Sequence, residues 1–338
     1  MKKLSLLLIA LLLVPTLFLT SCDRGDEING GVVITTPEFT LMKDFMVANN
    51  FDINKIMTNT DGEKFVVGAP AEADLAAFLD KYYIIDIRSN ADFAAGHIQG
   101  AKNVAFGDIL TEAPNAGAKP ILIACYTGQT ACYATALLRM YGYSHTKALK
   151  WGMSGWNQTT AGPWNGKIGA NAAEGHANWS YSTAPANLVF DDPTISSFST
   201  DGSEILKERV EQVVAAGFGA ATVSGADVLA SPGNYFVNNY FSEADYAAFG
   251  HIANAYRILP LTLADNTYRN LNPDPNAKVV TYCYTGQTSA VMTACLRVLG
   301  YNAYSMTFGM NGLYNTNNAW SSNQWGSDSN PKNLPLAQ

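Results

Sequence analysis

Short apolar runs alternate along the chain with stretches that have the hydrophobic spacing of amphipathic helices. Residues 121–124 and 279–282 are largely apolar runs of four, with the length and composition of strands buried on both faces. Residues 82–86 form a third such run, and residues 75–79 before it place large apolar side chains on one helical face. Alternating strands and helices predict a parallel, doubly wound α/β sheet, with active groups at the carboxyl ends of its strands.

The chain contains a long internal repeat. The hexapeptide Cys-Tyr-Thr-Gly-Gln-Thr at residues 125–130 recurs letter for letter at residues 283–288, which is 158 positions later. Further matches keep offsets between 153 and 158 residues, and Gly142 and Gly300 would end the helix that follows each hexapeptide. A nearly constant offset predicts two copies of one domain and excludes a solenoid of short units.

The repeat and the changes in composition predict five segments. The residues between the copies are rich in Gly, Ala, Asn, Ser and Thr, which is typical of a linker or of long surface connections. The predicted segments are a signal peptide at residues 1–21, a tether at 22–34, a first domain at 35–165, a linker at 166–199 and a second domain at 200–330.

The first segment has the layout of an export signal. Two lysines precede an uncharged, mostly apolar run at residues 4–20, and small residues follow before Cys22. The ending Leu-Thr-Ser-Cys resembles a bacterial lipobox, in which the cysteine becomes the lipidated first residue. A transmembrane helix is disfavoured because the run of 17 residues is short for a span and Pro15 interrupts it. The resemblance implies a lipid anchor at Cys22 and a place in the bacterial cell envelope, on the periplasmic or surface side.

Composition narrows the classes of partner. Hydrophobic residues make up 48 % of the chain, which is enough to fold, and charged residues only 14 %. The formal net charge is −7, and it becomes −9 once the two lysines of the signal are removed. Because phosphates would be repelled by this charge, we expect no nucleic-acid partner.

The cysteine that opens each hexapeptide is a candidate nucleophile. Cys125 and Cys283 each follow a buried strand and precede a helix, where backbone N–H groups lack intrahelical partners and favour an anion. We therefore expect a thiolate there, and a cradle that could also hold a second sulfur as a persulfide. The glycine of each loop would supply a positive φ, and Thr130 or Thr288 would cap the helix. The candidate substrate or anion-binding loops comprise Tyr126, Thr127, Gly128, Gln129, Thr130, Tyr284, Thr285, Gly286, Gln287 and Thr288.

At these residues the sequence resembles the rhodanese family of sulfurtransferases. The family's signatures follow one another in the first copy at residues 85–88, 92–93, 96–103, 125–130 and 149–156. The resemblance implies two rhodanese-like domains, each a five-stranded parallel sheet flanked by helices. It also implies a catalytic cysteine that accepts sulfane sulfur and passes it to a thiophilic acceptor, with no cofactor.

The second copy departs from the family pattern. Our alignment places Asn238 opposite Asp86 and Tyr240 opposite Arg88, with single inserted residues before Asp245 and before the following Gly-His-Ile. Asp86 and Arg88 are supporting residues by the resemblance, so their framework is in doubt in the second copy. Both cysteine loops are retained, and we expect both to be competent, with Cys125 the safer choice.

The remaining candidates have simpler interpretations. A phosphatase of this fold would need an arginine six positions after the cysteine, where Ala131 and Ser289 stand. Cys132 and Cys295 occupy non-equivalent positions and are interpreted as core residues. The histidines of the Gly-His-Ile motifs are interpreted as structural, and no histidine or cysteine spacing indicates a metal site.

Three hypotheses of function remain open. The first is an enzyme that takes sulfane sulfur from a small donor and hands it to a thiol, to cyanide or to a protein acceptor. The second is a non-catalytic or accessory envelope lipoprotein whose loops bind sulfur or selenium anions. The third is a purely structural surface module, which would tolerate the loss of both cysteines.

Overall fold

Two parallel sheets, one in each copy of the repeat, build the fold. The coordinates are those of a computed structural model, which describes residues 36–59 and 61–338. The predicted signal peptide, the tether and Cys22 lie outside the described residues. Within the described ranges, no helix has the length and hydropathy that crossing a bilayer requires.

The first copy alternates strands and helices up to residue 165. Its elements are α1 (Glu38–Ala48), α2 (Ile53–Thr58), β1 (Val66–Val67), α3 (Leu75–Lys81), β2 (Tyr83–Asp86), α4 (Asn90–Ala95), β3 (Lys102–Asn103), α5 (Ile109–Glu112), β4 (Ile121–Ala124), α6 (Gln129–Tyr141), β5 (Lys147–Leu149), α7 (Gly152–Trp156) and α8 (Gly162–Asn165).

A long irregular connection, which contains the short strand β6 (Trp179–Ser180), precedes the second copy. The elements of the second copy are α9 (Gly202–Ala216), β7 (Thr222–Val223), α10 (Gly225–Ala230), β8 (Phe236–Asn239), α11 (Glu243–Phe249), β9 (His251–Ile252), β10 (Val279–Tyr282), α12 (Gln287–Val298), β11 (Ala303–Met306) and α13 (Gly309–Tyr314).

Both sheets are wholly parallel, and the strand before each cysteine lies inside its sheet. The strand order is β1-β5-β4-β2-β3 in the first copy and β7-β11-β10-β8 in the second. Strands β4 and β10 coincide with the predicted runs at 121–124 and 279–282, and all their residues are buried. The predicted α/β class is confirmed, and five strands are found in the first copy.

The second sheet has four strands instead of five. Where β3 stands in the first copy, only Tyr256 reaches the sheet, as a single parallel bridge to Asn238. Beyond it, the backbone N–H of Ile258 donates to the side-chain oxygen of Asn238 at 2.8 Å instead of to a strand carbonyl. The ladder therefore ends after one bridge.

The strand registers also correct the alignment of the two copies. Asp86 pairs with Ala124, the residue before the first cysteine, and Asn239 pairs with Tyr282, the residue before the second. The residue equivalent to Asp86 is therefore Asn239, and the predicted equivalence with Asn238 is wrong by one position.

The same shift applies to the next framework position. Phe241, not Tyr240, is equivalent to Arg88, because the offset of 153 residues holds from the strand into the following helix. Helices α4 and α11 are both capped by serine side chains at that offset, so no residue is inserted before Asp245. The predicted insertion before Asp245 is therefore wrong.

The two copies share one hydrophobic core. Helix α6 packs against α12, and α1 of the first copy packs against α9 of the second. Cys132 on α6 and Cys295 on α12 are both buried in this shared cluster, as predicted. The end of the chain returns to the first copy, where Leu334 is buried and the backbone of Ala337 exchanges two hydrogen bonds with His97.

The buried carboxylate of Asp52 links the two copies by hydrogen bonds. Asp52 caps α2 by accepting from the N–H of Ile53 at 2.6 Å, and the same carboxylate accepts from the N–H groups of Leu263 at 2.7 Å and Ala264 at 3.0 Å. Asp52 is only 5 % exposed. One side chain therefore satisfies three backbone donors, two of them in the other copy, and the bonds from Ile53 and Leu263 are buried.

We predict that Asp52→Ala lowers the free energy of unfolding by about 2 to 4 kcal/mol, because it removes a helix cap and charge-assisted bonds to buried N–H groups. Urea unfolding followed by circular dichroism measures the change. Asp80→Ala, which removes an exposed carboxylate, is the matched control and should change the stability by less than about 0.5 kcal/mol. Equal effects of the two substitutions would contradict the account.

Candidate active site

The two hexapeptides form matching loops at the carboxyl ends of β4 and β10. Each loop leads directly into the first turn of α6 or α12. The sulfur-bearing residues lie at the bottom of the loops, where Cys125 is 2 % exposed and Cys283 is 1 % exposed. The topology therefore brings a buried thiol to a helix N-terminus in each copy, as the pattern predicts.

Backbone N–H groups are directed at the sulfurs, two at Cys125 and one at Cys283. The Sγ atom of Cys125 accepts from the N–H of Gly128 at 3.1 Å and from that of Ala131 at 3.3 Å. The Sγ atom of Cys283 accepts from the N–H of Ser289 at 3.3 Å, and the Ser289 hydroxyl lies 3.8 Å from it. The second copy therefore places a hydroxyl group beside the sulfur, where the first copy has only the methyl group of an alanine.

The predicted capping role of Thr130 and Thr288 is wrong. Gly128 and Gly286 occupy the N-cap positions, with φ of 85° and 75°, and neither helix has a side-chain cap from its N-cap residue. The cysteine sulfur instead accepts from the third helical residue, which is the bond that a capping side chain usually makes. The positive φ predicted for the loop glycines is confirmed.

A second turn fixes the carbonyl groups of the first loop. The N–H of Met153 donates to the carbonyl of Cys125 at 2.8 Å, and the N–H of Ser154 donates to that of Tyr126 at 3.0 Å. Gly152 lies so close that a Cβ atom there would come within 2.4 Å of the Cys125 carbonyl oxygen. With the carbonyls held outward, the loop amides are left facing the sulfur.

The second copy repeats this arrangement. Met310 and Asn311 donate their N–H groups to the carbonyls of Cys283 and Tyr284 at 2.9 and 3.0 Å. A Cβ atom on Gly309 would come within 2.2 Å of the Cys283 carbonyl oxygen. Glycine is therefore required at this position in both copies, by close approach and by its positive φ.

An ionic framework supports the first loop. Arg88 and Asp86 form a buried ion pair, with the guanidinium Nη2 2.7 Å from the carboxylate, and the same nitrogen donates to the Gly96 carbonyl at 2.8 Å. The guanidinium also lies 5.9 Å from the ring centre of Tyr126. The Tyr126 hydroxyl donates to Asp92. The hydrogen bond from Ser89, and after it the one from Tyr126, lowers the pKa of Asp92.

The second copy replaces the ionic framework with an aromatic one. Phe241, at the position of Arg88, stacks on Tyr284 with ring centres 4.3 Å apart. Asn239, at the position of Asp86, donates to the Tyr282 hydroxyl at 2.7 Å. The Tyr284 hydroxyl still donates to Asp245, so the tyrosine–aspartate contact is kept in both copies. Asp92 and Asp245 were not among the predicted site residues, although Asp92-Phe93 and Asp245-Tyr246 match each other at an offset of 153 residues.

At the first sulfur, burial affects the pKa more strongly than the backbone N–H groups of the loop do. Removal from water raises the pKa of Cys125, and the charge of Asp86 adds to the increase. The N–H groups of Ala131, Thr127 and Gly128 act in the opposite direction but do not cancel it. The expectation of a favoured thiolate is therefore wrong for Cys125 in this closed arrangement, because the desolvation of an almost inaccessible sulfur could not be judged from the sequence.

Aromatic side chains from both copies cover the loops. Trp151, Trp164, Trp325 and Phe308 form a separate buried cluster. The indole N–H of Trp164 donates to the carbonyl of Thr127 at 3.1 Å. Trp164 therefore contacts the backbone of the first loop and connects it to the aromatic cluster.

A cavity of about 350 Å³ borders the second loop. Its lining joins Thr285, Gln287 and Thr288 of that loop to Cys132 and Lys150 of the first copy. The Lys150 ammonium group donates to the Asn323 side chain at 2.6 Å, and burial lowers its pKa. A cavity of about 390 Å³ lies instead at the amino ends of β4 and β5, away from both cysteines, so it is not part of the candidate site.

Comparison with curated proteins finds relatives of one kind. The thiosulfate sulfurtransferase GlpE of Pseudomonas fluorescens is 35 % identical over 79 residues, which are 22 % of this chain and 71 % of the relative. GlpE of Pseudomonas entomophila is 32 % identical over 92 residues, 27 % of this chain and 84 % of the relative.

Solved structures give weaker similarities. A thiosulfate sulfurtransferase from Pseudomonas aeruginosa is 15 % identical, with 80 % of this chain and 48 % of that chain covered and a TM-score of 0.29. A 3-mercaptopyruvate sulfurtransferase from Leishmania major is 14 % identical, with 72 % of each chain covered and a TM-score of 0.27.

Family assignment rests on the sequence. The profile of the rhodanese-like domain matches twice, at residues 71–159 and 241–316, and each match contains one cysteine loop. Together with the identity to the GlpE proteins, these matches show that the chain belongs to the rhodanese family and contains its domain twice.

Proposed function

We propose that this protein is a sulfurtransferase that carries sulfane sulfur as a persulfide on Cys125 and Cys283. The observation that carries the proposal is the pair of loops whose backbone N–H groups are directed at a cysteine sulfur. In the first step the thiolate attacks the sulfane sulfur of a donor, the bond between that sulfur and the rest of the donor breaks, and the leaving group departs with the electron pair. An acceptor nucleophile then attacks the outer sulfur, and the cysteine leaves as a thiolate.

The loop residues stabilise negative charge on sulfur. The charge of a thiolate, or of the outer sulfur of a persulfide, falls where N–H groups are fixed by the loop and need no reorganisation. In the second copy the Ser289 hydroxyl, which also bonds to Ser305 at 2.8 Å, supplies a further polar group. The glutamine and the glycines hold the loop, and they take no part in bond breaking.

The donor is proposed to be a small anion that carries sulfane sulfur, and the similarity to the thiosulfate sulfurtransferase GlpE supports this choice. Arg88 is committed to its ion pair with Asp86, so it is not free to bind a donor at the first loop. Lys64 and Lys150 line the cavity beside the second loop and offer positive charge there. A thiol, cyanide or a protein thiolate would serve as acceptor.

A second candidate function is binding without catalysis. Both cysteines are at most 2 % exposed, and burial raises the pKa of Cys125, which suits a shell that holds an anion without reacting with it. In that case the affinity for sulfite or selenite should survive the replacement of both cysteines by serine. Loss of sulfur uptake in the same double variant favours the enzyme.

Incubation of the protein with thiosulfate should add about 32 Da, one sulfur atom, to each loop peptide in mass spectra. The Cys125→Ser variant should gain mass only on the second loop peptide, and the Cys283→Ser variant only on the first. The double variant should gain mass on neither peptide. Cys295→Ser, which changes a buried core cysteine outside the cavity beside the second loop, is the matched control and should keep both gains. A wild-type protein without any gain in mass, or a double variant with an unchanged gain, would refute sulfur transfer through these residues.

We further propose that the protein is a lipoprotein of the bacterial envelope, anchored through Cys22. The proposal rests on the lipobox-like ending of the first segment, because more than one lipid chain on such a cysteine would give stable attachment. In the native host, Cys22→Ser should move the protein from the membrane fraction to the soluble fraction. A variant that stays with the membrane would contradict anchoring at this residue.

A further inference from the structure

Each cysteine loop sends one glutamine side chain into the other copy. The Oε1 atom of Gln129, in the first loop, accepts from the backbone N–H of Phe308 at 2.7 Å. The Oε1 atom of Gln287, in the second loop, accepts from the backbone N–H of Trp151 at 3.3 Å. Gln129 is 3 % exposed and Gln287 is 4 % exposed, so both bonds are shielded from water.

The residues that donate these hydrogen bonds open the turns that hold the cysteine loops. Trp151 and Phe308 have φ of 67° and 61°, a left-handed conformation that a bulky residue rarely adopts. Directly after them come Gly152 and Gly309, which lie against the carbonyl groups of Cys125 and Cys283. An acceptor for the N–H group of the left-handed residue therefore fixes the turn at its first position.

The chain of contacts from Gln287 ends at the first sulfur. Gln287 holds Trp151, the turn after Trp151 donates to the carbonyls of Cys125 and Tyr126, and the loop amides then face the Cys125 sulfur. The mirror chain runs from Gln129 through Phe308 to Cys283. Each sulfur thus depends on a side chain that belongs to the other loop.

We infer that Gln287 is a positioning residue for Cys125 and Gln129 a positioning residue for Cys283, so that the two sulfur sites are coupled across the copies. The catalytic part of this inference, an effect on sulfur loading, rests on the proposed function. The positioning of each cysteine loop by a glutamine of the other copy does not depend on that function. In the part of the chain that the structure describes, neither glutamine forms a hydrogen bond with the sulfur of the copy that it supports.

The two glutamines are not equivalent, which sharpens the test. The Nε2 atom of Gln129 donates to Thr127 in its own loop at 3.1 Å. The Nε2 atom of Gln287 is buried without an acceptor among residues 36–59 and 61–338. The hydrogen bond to Trp151 is therefore the contact that Gln287→Met removes, with the length of the side chain nearly kept.

The experiment compares the full chain with Gln287→Met, Gln129→Met and the control Gln158→Met, which changes an exposed glutamine. Native protein is alkylated with iodoacetamide between pH 6 and 10, and labelling of each loop cysteine is followed by mass spectrometry. Sulfur loading from thiosulfate is followed on the same peptides. Circular dichroism establishes that each variant is folded, and if one is not, the mirror variant carries the test.

In the wild type, labelling of Cys125 should rise into the alkaline range, because its pKa is raised by burial and only the thiolate reacts. Gln287→Met should move this profile to higher pH and slow sulfur loading at Cys125 by about three- to tenfold, the value of one lost hydrogen bond. Labelling of Cys283 should change by less than about twofold. Gln129→Met should act mainly on Cys283, and Gln158→Met on neither.

Two results would overturn the inference: no change at Cys125 in Gln287→Met, or a larger change at Cys283 than at Cys125 in that variant. Alkylation needs no sulfur donor, so it separates this inference from the proposed function. A wild type that takes up no sulfur but shows the crossed change in alkylation would refute the sulfurtransferase and leave the positioning role standing.

Discussion

Hydrogen bonds from main-chain N–H groups to a buried cysteine sulfur are the interaction on which the rest of the site depends. They form because the loop carbonyls are held on the outer side, by the N–H groups of Met153 and Ser154 in the first copy. Gly152 and Gly309 are required because any side chain there would strike the loop. The sulfur takes the place of a helix cap, so the same contacts that begin α6 and α12 also prepare the sulfur for negative charge.

Burial limits how far the loop N–H groups can favour the thiolate. A thiol shut away from water is hard to ionise, and at Cys125 this effect is larger than that of the amides. The amides therefore matter most when charge has formed, on the attacking thiolate or on a bound sulfane sulfur. A closed site that favours the neutral thiol at rest also protects it from oxidation in the envelope, where we propose that the protein resides.

The two copies reach the same loop geometry by different means. The first uses the buried pair Asp86 and Arg88, and the second uses Phe241 stacked on Tyr284. Both keep a tyrosine hydroxyl bonded to an aspartate. Positive charge near the loops is correspondingly unequal, since the arginine is neutralised in the first copy while Lys64 and Lys150 line the cavity at the second.

Much of this architecture could be predicted from the sequence. Residues 121–124 and 279–282 could be predicted as strands because short apolar runs of this length are typical of strands buried on both faces of a sheet. The duplicated hexapeptide then locates both loops. The equivalence of Asp86 was misplaced by one residue, because only strand register shows which residues stand side by side. The missing fifth strand depends on the Asn238 side chain, which takes the N–H group of Ile258. The crossed glutamines depend on the packing of one copy on the other, and hydrophobic periodicity encodes neither feature.

The burial of the sulfurs was likewise invisible in the sequence. The aromatic cluster over the loops draws on Trp164 and Trp325, residues far from either hexapeptide. The tryptophans after the last glycine of each copy could be assigned to packing, but their position on the loop backbone could not. Cys125 itself is buried in the core that the two copies share, and its removal from water there raises its pKa.

A crystal structure of the protein after a thiosulfate soak would test the cradle most directly. The account predicts one extra atom about 2 Å from a cysteine Sγ atom, the length of a sulfur–sulfur bond. That atom should accept hydrogen bonds from the loop N–H groups, with the turn at Gly152 or Gly309 unmoved. Unmodified sulfurs in both loops of crystals that have bound thiosulfate elsewhere would contradict it.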